Sequence, residues 1–205
     1  EEEVKQSRER AQEYRSNTDL DIEECPVCGG EDREAVLEMY GINWTQCRDC
    51  SHVYQPEIMS QEALIDFYQS DEDYASTYTD DDQMEYRLEN VTKPKFDFIL
   101  DKIDAEPGRW LDVGCGNGGS VYYLESLGWE ATGLEVSEHS VQTAADYFGV
   151  ELHQQTLEEY SEDNPDVEFD GVSMFGYLDL VQDPLSDLQL ASEILGEEGY
   201  VAIHV

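Results

Sequence analysis

Four cysteines carry a metal-ligand spacing. Cys25 and Cys28 form one C-x-x-C pair, an 18-residue gap comes next, and Cys47 and Cys50 form a second pair. A tetrahedral zinc site takes four thiolates, two from each of two tight knuckles. The gap is long enough for a hairpin that brings the knuckles together, and Gly29 and Gly30 supply the turn after the first pair. A redox dithiol usually occurs once, at a helix start in a βαβ unit, which fits two pairs poorly. Four sulfur ligands leave zinc no open position, so the expected Zn2+ is structural. His52, two residues past the last cysteine, reads as a strand residue rather than a ligand. The fifth cysteine, Cys115, reads as a small core-facing residue.

The second constellation is "WLDVGCGNGG", Trp110 to Gly119, a buried strand running into a glycine turn. Gly114, Gly116 and Gly119 satisfy the dinucleotide spacing G-x-G-x-x-G, and Glu135 lies about 20 residues on, which points to NAD. Asp112 points elsewhere. A carboxylate two residues before the first glycine is poorly placed beside a pyrophosphate at a helix N-terminus. A cofactor without phosphates and with a cationic amino-acid end removes the conflict. S-adenosylmethionine is one: Asp112 attracts its positive end, directly or through water. Gly114, Gly116 and Gly118 let the backbone approach, and Glu135 accepts the ribose hydroxyls. On the residues alone, an NAD-dependent oxidoreductase remains the rival reading.

These groups need elements to hold them. After Pro107-Gly108 the chain alternates strand and helix. Strands are expected at Trp110–Val113, Ala131–Leu134, Val150–His153, Phe169–Met174 and Tyr200–Val205. Helices are expected at Ser120–Leu127, Ser137–Phe148 and Pro184–Leu195, the first two closed by Gly128 and Gly149. Such alternation implies an α/β fold, a Rossmann-like open and mainly parallel sheet. Upstream, Val36–Tyr40 and His52–Tyr54 are short strands between the cysteine pairs. Ser60 caps a helix through Tyr68, and Pro94 opens one with Phe96, Ile99, Leu100 and Ile103 on one face. The chain thus divides into four segments: a polar lead over residues 1–21, a zinc ribbon over 22–58, a helical linker or lid over 59–106, and the Rossmann-like domain over 107–205. In the lid, Tyr74 and Tyr78 are candidates to close over a bound ligand.

The chain carries a net charge of -38 in 205 residues, with acids along its whole length and only four lysines. Such a surface repels itself in ordinary salt, whereas a Debye length of about 3 Å near 1 M screens the repulsion. The composition therefore resembles that of halophilic cytoplasmic proteins. It excludes the basic footprint that direct nucleic-acid binding needs. No apolar run is long enough to span a membrane.

From Trp110 to Val205 the sequence resembles the class I S-adenosylmethionine-dependent methyltransferases. "LDVGCGNGG" is similar to the family's first motif and "ATGLEVS" to its second, with the acidic residue at Glu135. "VEFDGVSMFGYLDLVQDPLSDLQLASEILGEEGYVAIHV" is similar to the family's stretch from the fourth strand through the fifth. The cysteine pairs resemble the zinc-binding module that precedes the catalytic domain in a subset of these enzymes, some of them similar to sugar and small-molecule methyltransferases. The resemblance implies cofactor contacts from Asp112, Gly114, Cys115, Gly116 and Gly118, and from Glu135 and Val136. It implies Thr156 and Leu157 beside the adenine, and Phe175 and Gly176 beside the cofactor. It implies methyl transfer to a small-molecule or sugar-like acceptor, and it names no catalytic base. Asp179 and Leu180 stand where the family often has Glu-His, which keeps a non-catalytic cofactor-binding or scaffold protein as an alternative. In the family sheet order 3-2-1-4-5-7-6, the last two strands would come after Val205. The expectation is therefore a domain truncated after strand 5, with a strand-5 edge open to self-association.

Overall fold

A computed structural model describes residues 2–70, 81–103 and 106–205. The expected lid tyrosines, Tyr74 and Tyr78, lie outside the described residues. The chain divides into two compact units, Glu1–Phe67 with Val181–Leu185, and Tyr68–Leu180 with Ser186–Val205. Among the described residues no helix is long and apolar enough to cross a membrane.

The first unit opens with helix α1 (Glu2–Ser16). Strands β1 (Leu20–Asp21) and β5 (Glu57–Ile58) pair antiparallel. Between them β2 (Arg33–Met39), β3 (Ile42–Cys47) and β4 (Val53–Tyr54) form an antiparallel sheet in that order. The β2–β3 hairpin turns through Tyr40 and Gly41, both at positive φ, as a two-residue primed turn requires. All seven residues of β2 are exposed, and among the described residues the buried cluster beside the cysteine pairs is Cys25, Cys47 and Tyr54, with Ile22 against it. So small a core ordinarily needs a metal or a disulfide to hold it. Helix α2 (Gln61–Ser70) starts as expected, with the Ala63 N–H donating to Ser60 Oγ at 3.3 Å.

In the second unit one helical run comprises α3 (Asp81–Arg87), a π turn (Leu88–Thr92) and α4 (Lys93–Ile103). The helix expected to begin at Pro94 thus begins earlier. Proline lacks an N–H and its ring crowds the carbonyl four residues back, and the wide turn just before Pro94 relieves both. Strands β6 (Arg109–Val113), β7 (Glu130–Leu134), β8 (Phe169–Phe175) and β9 (Leu195–His204) form a parallel sheet in the order β7-β6-β8-β9. Helices α5 (Gly119–Ser126), α6 (Glu138–Thr143), α7 (Leu157–Asp163) and α8 (Pro184–Glu193) lie between them in sequence. This is the expected Rossmann-like α/β architecture.

Side-chain alternation along β6 sorts the core. Leu111 and Val113 join Leu134, Phe169, Val172 and Met174 on one face. Trp110 packs with Phe96, Leu124 and Trp129 on the other. There the Trp110 indole lies on Gly171, its partner in register, where any Cβ would collide with it.

Three local expectations are corrected. The third strand, Val150–His153, is reduced to a single bridge between His153 and Leu134. Residues 157–163, where no element is expected, form α7. Thr156 and Glu159 make a reciprocal capping box that starts α7. The last strand begins at Leu195, opposite Phe169, and after a break in register it runs on from the expected Tyr200, opposite Gly171. A fourth expected feature is modified: the helix after Ser137 ends in a π turn, Ala144–Phe148, before Gly149 at φ 72.

Candidate functional site

The four predicted metal ligands converge. The sulfur atoms of Cys25, Cys28, Cys47 and Cys50 all lie within 4.8 Å of one another. Cys25–Cys50 and Cys28–Cys47 are each 3.6 Å apart. A tetrahedron with Zn–S bonds of about 2.3 Å has edges of about 3.8 Å, close to the two 3.6 Å pairs, so four thiolates gathered in this way suit a zinc ion. The two knuckles are built alike. The Gly29 N–H donates to the Cys25 carbonyl at 2.8 Å and the Ser51 N–H to the Cys47 carbonyl at 3.0 Å. Gly29 and Ser51 both take positive φ. The Cys25 N–H closes on the Gly30 carbonyl at 2.9 Å, and the Cys47 N–H on that of His52 at 2.8 Å. The Cys50 N–H pulls the Cys47 thiol below its ordinary value, against burial and with help from the Asp49 N–H. His52 stacks on Tyr54 and is no member of the cluster.

The glycine turn lies at the carboxyl end of β6. Its glycines have different tasks. A Cβ on Gly114 would come within 2.8 Å of the Tyr177 ring, and one on Gly118 within 2.9 Å of Ala144 and 3.0 Å of Val150. The space a Cβ would take is filled at both, although Gly114 itself is exposed and Gly118 buried. A Cβ on Gly116 would meet nothing within 4 Å, and the same holds at Gly176 after β8. Both have positive φ. Backbone is therefore open to a ligand at Gly116 and at Gly176.

Glu135 stands at the end of β7. Its Oε2 accepts the Gly116 N–H at 2.9 Å and its Oε1 the Ser137 N–H at 2.9 Å. Burial raises its pKa, opposed by those N–H groups and that of Val136. Each carboxylate oxygen keeps a further lone pair for a ligand hydroxyl. The Val136 carbonyl accepts from Gln154 at 3.3 Å. Cys115 is half-buried, its sulfur against Gly133.

Asp112 is 3% exposed. One carboxylate oxygen accepts from the Ser173 hydroxyl at 2.5 Å and the other from the Ser120 hydroxyl. Burial pushes its pKa up to about 6, opposed by the two serines and by Lys95, and Glu135 adds to the rise. Thr156 caps α7, and Leu157 is buried in the core beside Leu111 and Leu134. The Leu157 side chain therefore packs inward, which leaves its backbone as the part that can border a ligand. Phe175 packs edge-on against Phe96, 5.4 Å between centroids.

Four further residues stand at the site without having been expected there. Lys95 Nζ lies 4.4 Å from the centre of the Phe175 ring. Its pKa is lowered by burial and by Arg87, against the charge of Asp112. Ser120, Ser173 and Tyr177 are the others. Ser173 had a signal: it is a polar residue inside the apolar run "GVSMF", where a buried acid on the next strand needs a donor. Lys95 had none, because i, i+3 periodicity marks the apolar face and is silent about one cation beside it.

Residues 82–205 match the profile of a methyltransferase domain. The chain belongs to that family. Among curated relatives, the ubiquinone biosynthesis O-methyltransferase of Vibrio cholerae serotype O1 is 31% identical over 136 residues, covering 63% of this chain and 55% of that protein. The Aliivibrio fischeri protein of the same description is 27% identical over 139 residues, covering 63% and 58%. The chain thus spans little more than half the length of the curated relatives it matches. Among solved structures, the plantazolicin methyltransferase BpumL in complex with SAH has a TM-score of 0.54 at 20% identity, covering 68% of this chain and 56% of that one. The DhpI–SAH complex has 0.52 at 21%, covering 69% and 67%. A SAM-dependent methyltransferase from Leishmania major has 0.55 at 16%, covering 69% and 59%. At these identities the likeness is one of fold.

Proposed function

We propose that this chain binds S-adenosylmethionine at the carboxyl end of β6 and β7 and transfers its methyl group to a small-molecule or sugar-like acceptor. The observation that carries the reading is the open backbone at Gly116, held beside the Glu135 carboxylate in a chain of the methyltransferase-domain family. Glu135 would accept the ribose hydroxyls. Gly114, Cys115, Gly116 and Gly118 would present backbone to the methionine end, with Asp112 supplying the negative charge for its ammonium. Lys95 is the complementary group for its carboxylate, because it stands near Phe175 and senses Asp112. Val136 and the start of α7 at Thr156 and Leu157 would border the adenine, and Phe175 and Gly176 the side facing the acceptor. The relatives named for ubiquinone biosynthesis favour a small molecule as acceptor.

The cofactor, when bound, supplies an electrophilic methyl on a sulfonium. Displacement at that methyl needs alignment and exclusion of water more than a strong base, so the residues bind and orient, and none is assigned proton transfer. One Zn2+ on Cys25, Cys28, Cys47 and Cys50 would hold the ribbon of residues 22–58 together, with all four positions filled and no part in the transfer.

Calorimetric titration with S-adenosylmethionine, its demethylated product and NAD, in molar potassium chloride, tests this. The first two should bind and NAD should not. Tighter binding of NAD would make the chain an oxidoreductase. Binding with no turnover on any phenolic, carboxylic or sugar acceptor would mark a cofactor-binding scaffold.

A further inference from the structure

The strongest unassigned feature is a buried polar chain across β6, β8 and α5. The Trp110 indole N–H donates to Ser173 Oγ at 3.0 Å. The Ser173 hydroxyl donates to Asp112 Oδ1 at 2.5 Å, and the Ser120 hydroxyl donates to Asp112 Oδ2. Trp110 and Ser173 are fully buried, and Asp112 and Ser120 nearly so. Register explains the meeting, since Asp112 lies opposite Ser173 in the parallel pair β6–β8.

The donor inventory gives this chain a direction. An indole N–H only donates. Ser173 must therefore offer Trp110 a lone pair, which turns its proton toward an acceptor. Asp112 at 2.5 Å is the strong choice, and the Leu111 carbonyl at 3.5 Å the weak one. With a donor on each oxygen, Asp112 is satisfied as an anion. A protonated Asp112 would bring its own O–H, and one serine would have to turn away. The charged groups that act on Asp112 are Lys95 on α4, which favours the anion, and Glu135 at the end of β7, which disfavours it. The Cys115 thiol in the glycine turn is raised well above its ordinary value by burial and by both acids, so it stays neutral.

We propose that Ser173, oriented by Trp110, and Ser120 are positioning residues that hold Asp112 as a fixed anion for the ammonium of the methyl donor. The proposal rests on the cofactor reading above and adds the group that keeps the anion in place. Without the serines, burial would favour the neutral acid, and affinity for a cationic ligand would fall as pH drops through neutrality rather than below it.

The test uses the full chain in molar potassium chloride, with variants S173A, S120A and W110F and the conservative S173T. Two readouts separate this proposal from the cofactor reading. The first is carbon-13 NMR titration of the Asp112 carboxyl in ligand-free protein, identified by its loss in D112N. The second is the pH profile of S-adenosylmethionine affinity. S173A and S120A should each raise the Asp112 midpoint by about one pH unit, a tenfold change in proton affinity. The binding profile should move by the same amount, and S173T should restore both. W110F should move them the same way by less, because Ser173 is then free to turn toward Leu111. An unchanged Asp112 midpoint in S173A and S120A would overturn the proposal, as would a loss of affinity equal at every pH. If the parent chain binds no S-adenosylmethionine, the cofactor reading falls, and the NMR titration still decides whether the serines hold the anion.

Discussion

Glu135 accepts the backbone N–H of Gly116 at 2.9 Å, so the end of the second sheet strand shapes the turn after the first. The same carboxylate holds Ser137 at the start of the next helix. Replacing Glu135 by Ala removes the proposed ribose acceptor and the tie on the turn together. Charge-assisted hydrogen bonds are worth about 1.5–3 kcal/mol, so E135A should weaken S-adenosylmethionine by roughly 10- to 100-fold. Calorimetry reads this directly. Equal affinity would remove Glu135 from the ribose.

Two glycines of the turn should respond in opposite ways. At Gly118 a Cβ runs into Ala144 and Val150, so G118A should destabilise the fold by about 1–3 kcal/mol, as overpacking does, and lower the melting temperature. At Gly116 a Cβ meets open space and adds only the cost of positive φ, about 1–2 kcal/mol. Its methyl would, however, occupy the space left for a ligand. G116A should therefore lose cofactor affinity out of proportion to stability. Comparing melting curves with and without S-adenosylmethionine distinguishes the two variants.

Asp112 gives a pH prediction with a definite sign. Its folded pKa, about 6, lies above the ordinary carboxylate value of 3.8. The stability this confers is fully present below about pH 4 and lost as pH rises through 6, because the folded state then carries a buried charge. D112N should therefore be more stable than the parent at pH 7.5, by about 1–3 kcal/mol, and should lose that advantage below pH 4. It should also bind S-adenosylmethionine more weakly. Thermal melts across pH 4–8 check the first part. A D112N variant less stable than the parent at pH 7.5 would show that the anion strengthens the fold.

Zinc should be found at one ion per chain by elemental analysis of protein purified without chelator. C25S and C47S change buried cysteines and C28S and C50S exposed ones, yet all four should weaken zinc binding, because a water or serine oxygen then stands in for one thiolate. Chelation should unfold the ribbon, whose buried cluster is little more than Cys25, Cys47 and Tyr54. Retention of β2–β3 amide protection after chelation would count against a structural metal.

Salt should stabilise this chain well into the molar range. A net charge of -38 spread over the sequence repels itself, and added ions screen it. The melting temperature should rise steadily from low to molar potassium chloride. A flat or falling curve would separate the acidic composition from any adaptation to salt.

Local rules written in the sequence account for much of this protein. C-x-x-C spacing names four cysteines that converge, because a knuckle is a local object, set by five or six residues. The alternation of apolar strands with capped helices implies a parallel sheet, because only a crossover joins parallel neighbours. Glycine and acid spacing identifies the turn and its partner Glu135, because both stand at strand ends that the alternation already locates. Other features depended on what lies across the fold. Val150–His153 has the pattern of a strand but shares only one bridge with β7, and pairing is a property of two segments. Gly114, Gly116 and Gly118 look alike in sequence, and only Tyr177, Ala144 and Val150, all distant in the chain, decide which one faces open space. Ser173 meets Asp112 from 61 residues away because β8 lies beside β6 in register. Lys95 reaches Phe175 because α4 packs over the end of β8. Short-range periodicity specifies which elements form and where they end. The partners of a buried charge come from strand order and packing, and those exist only once the chain has closed on itself.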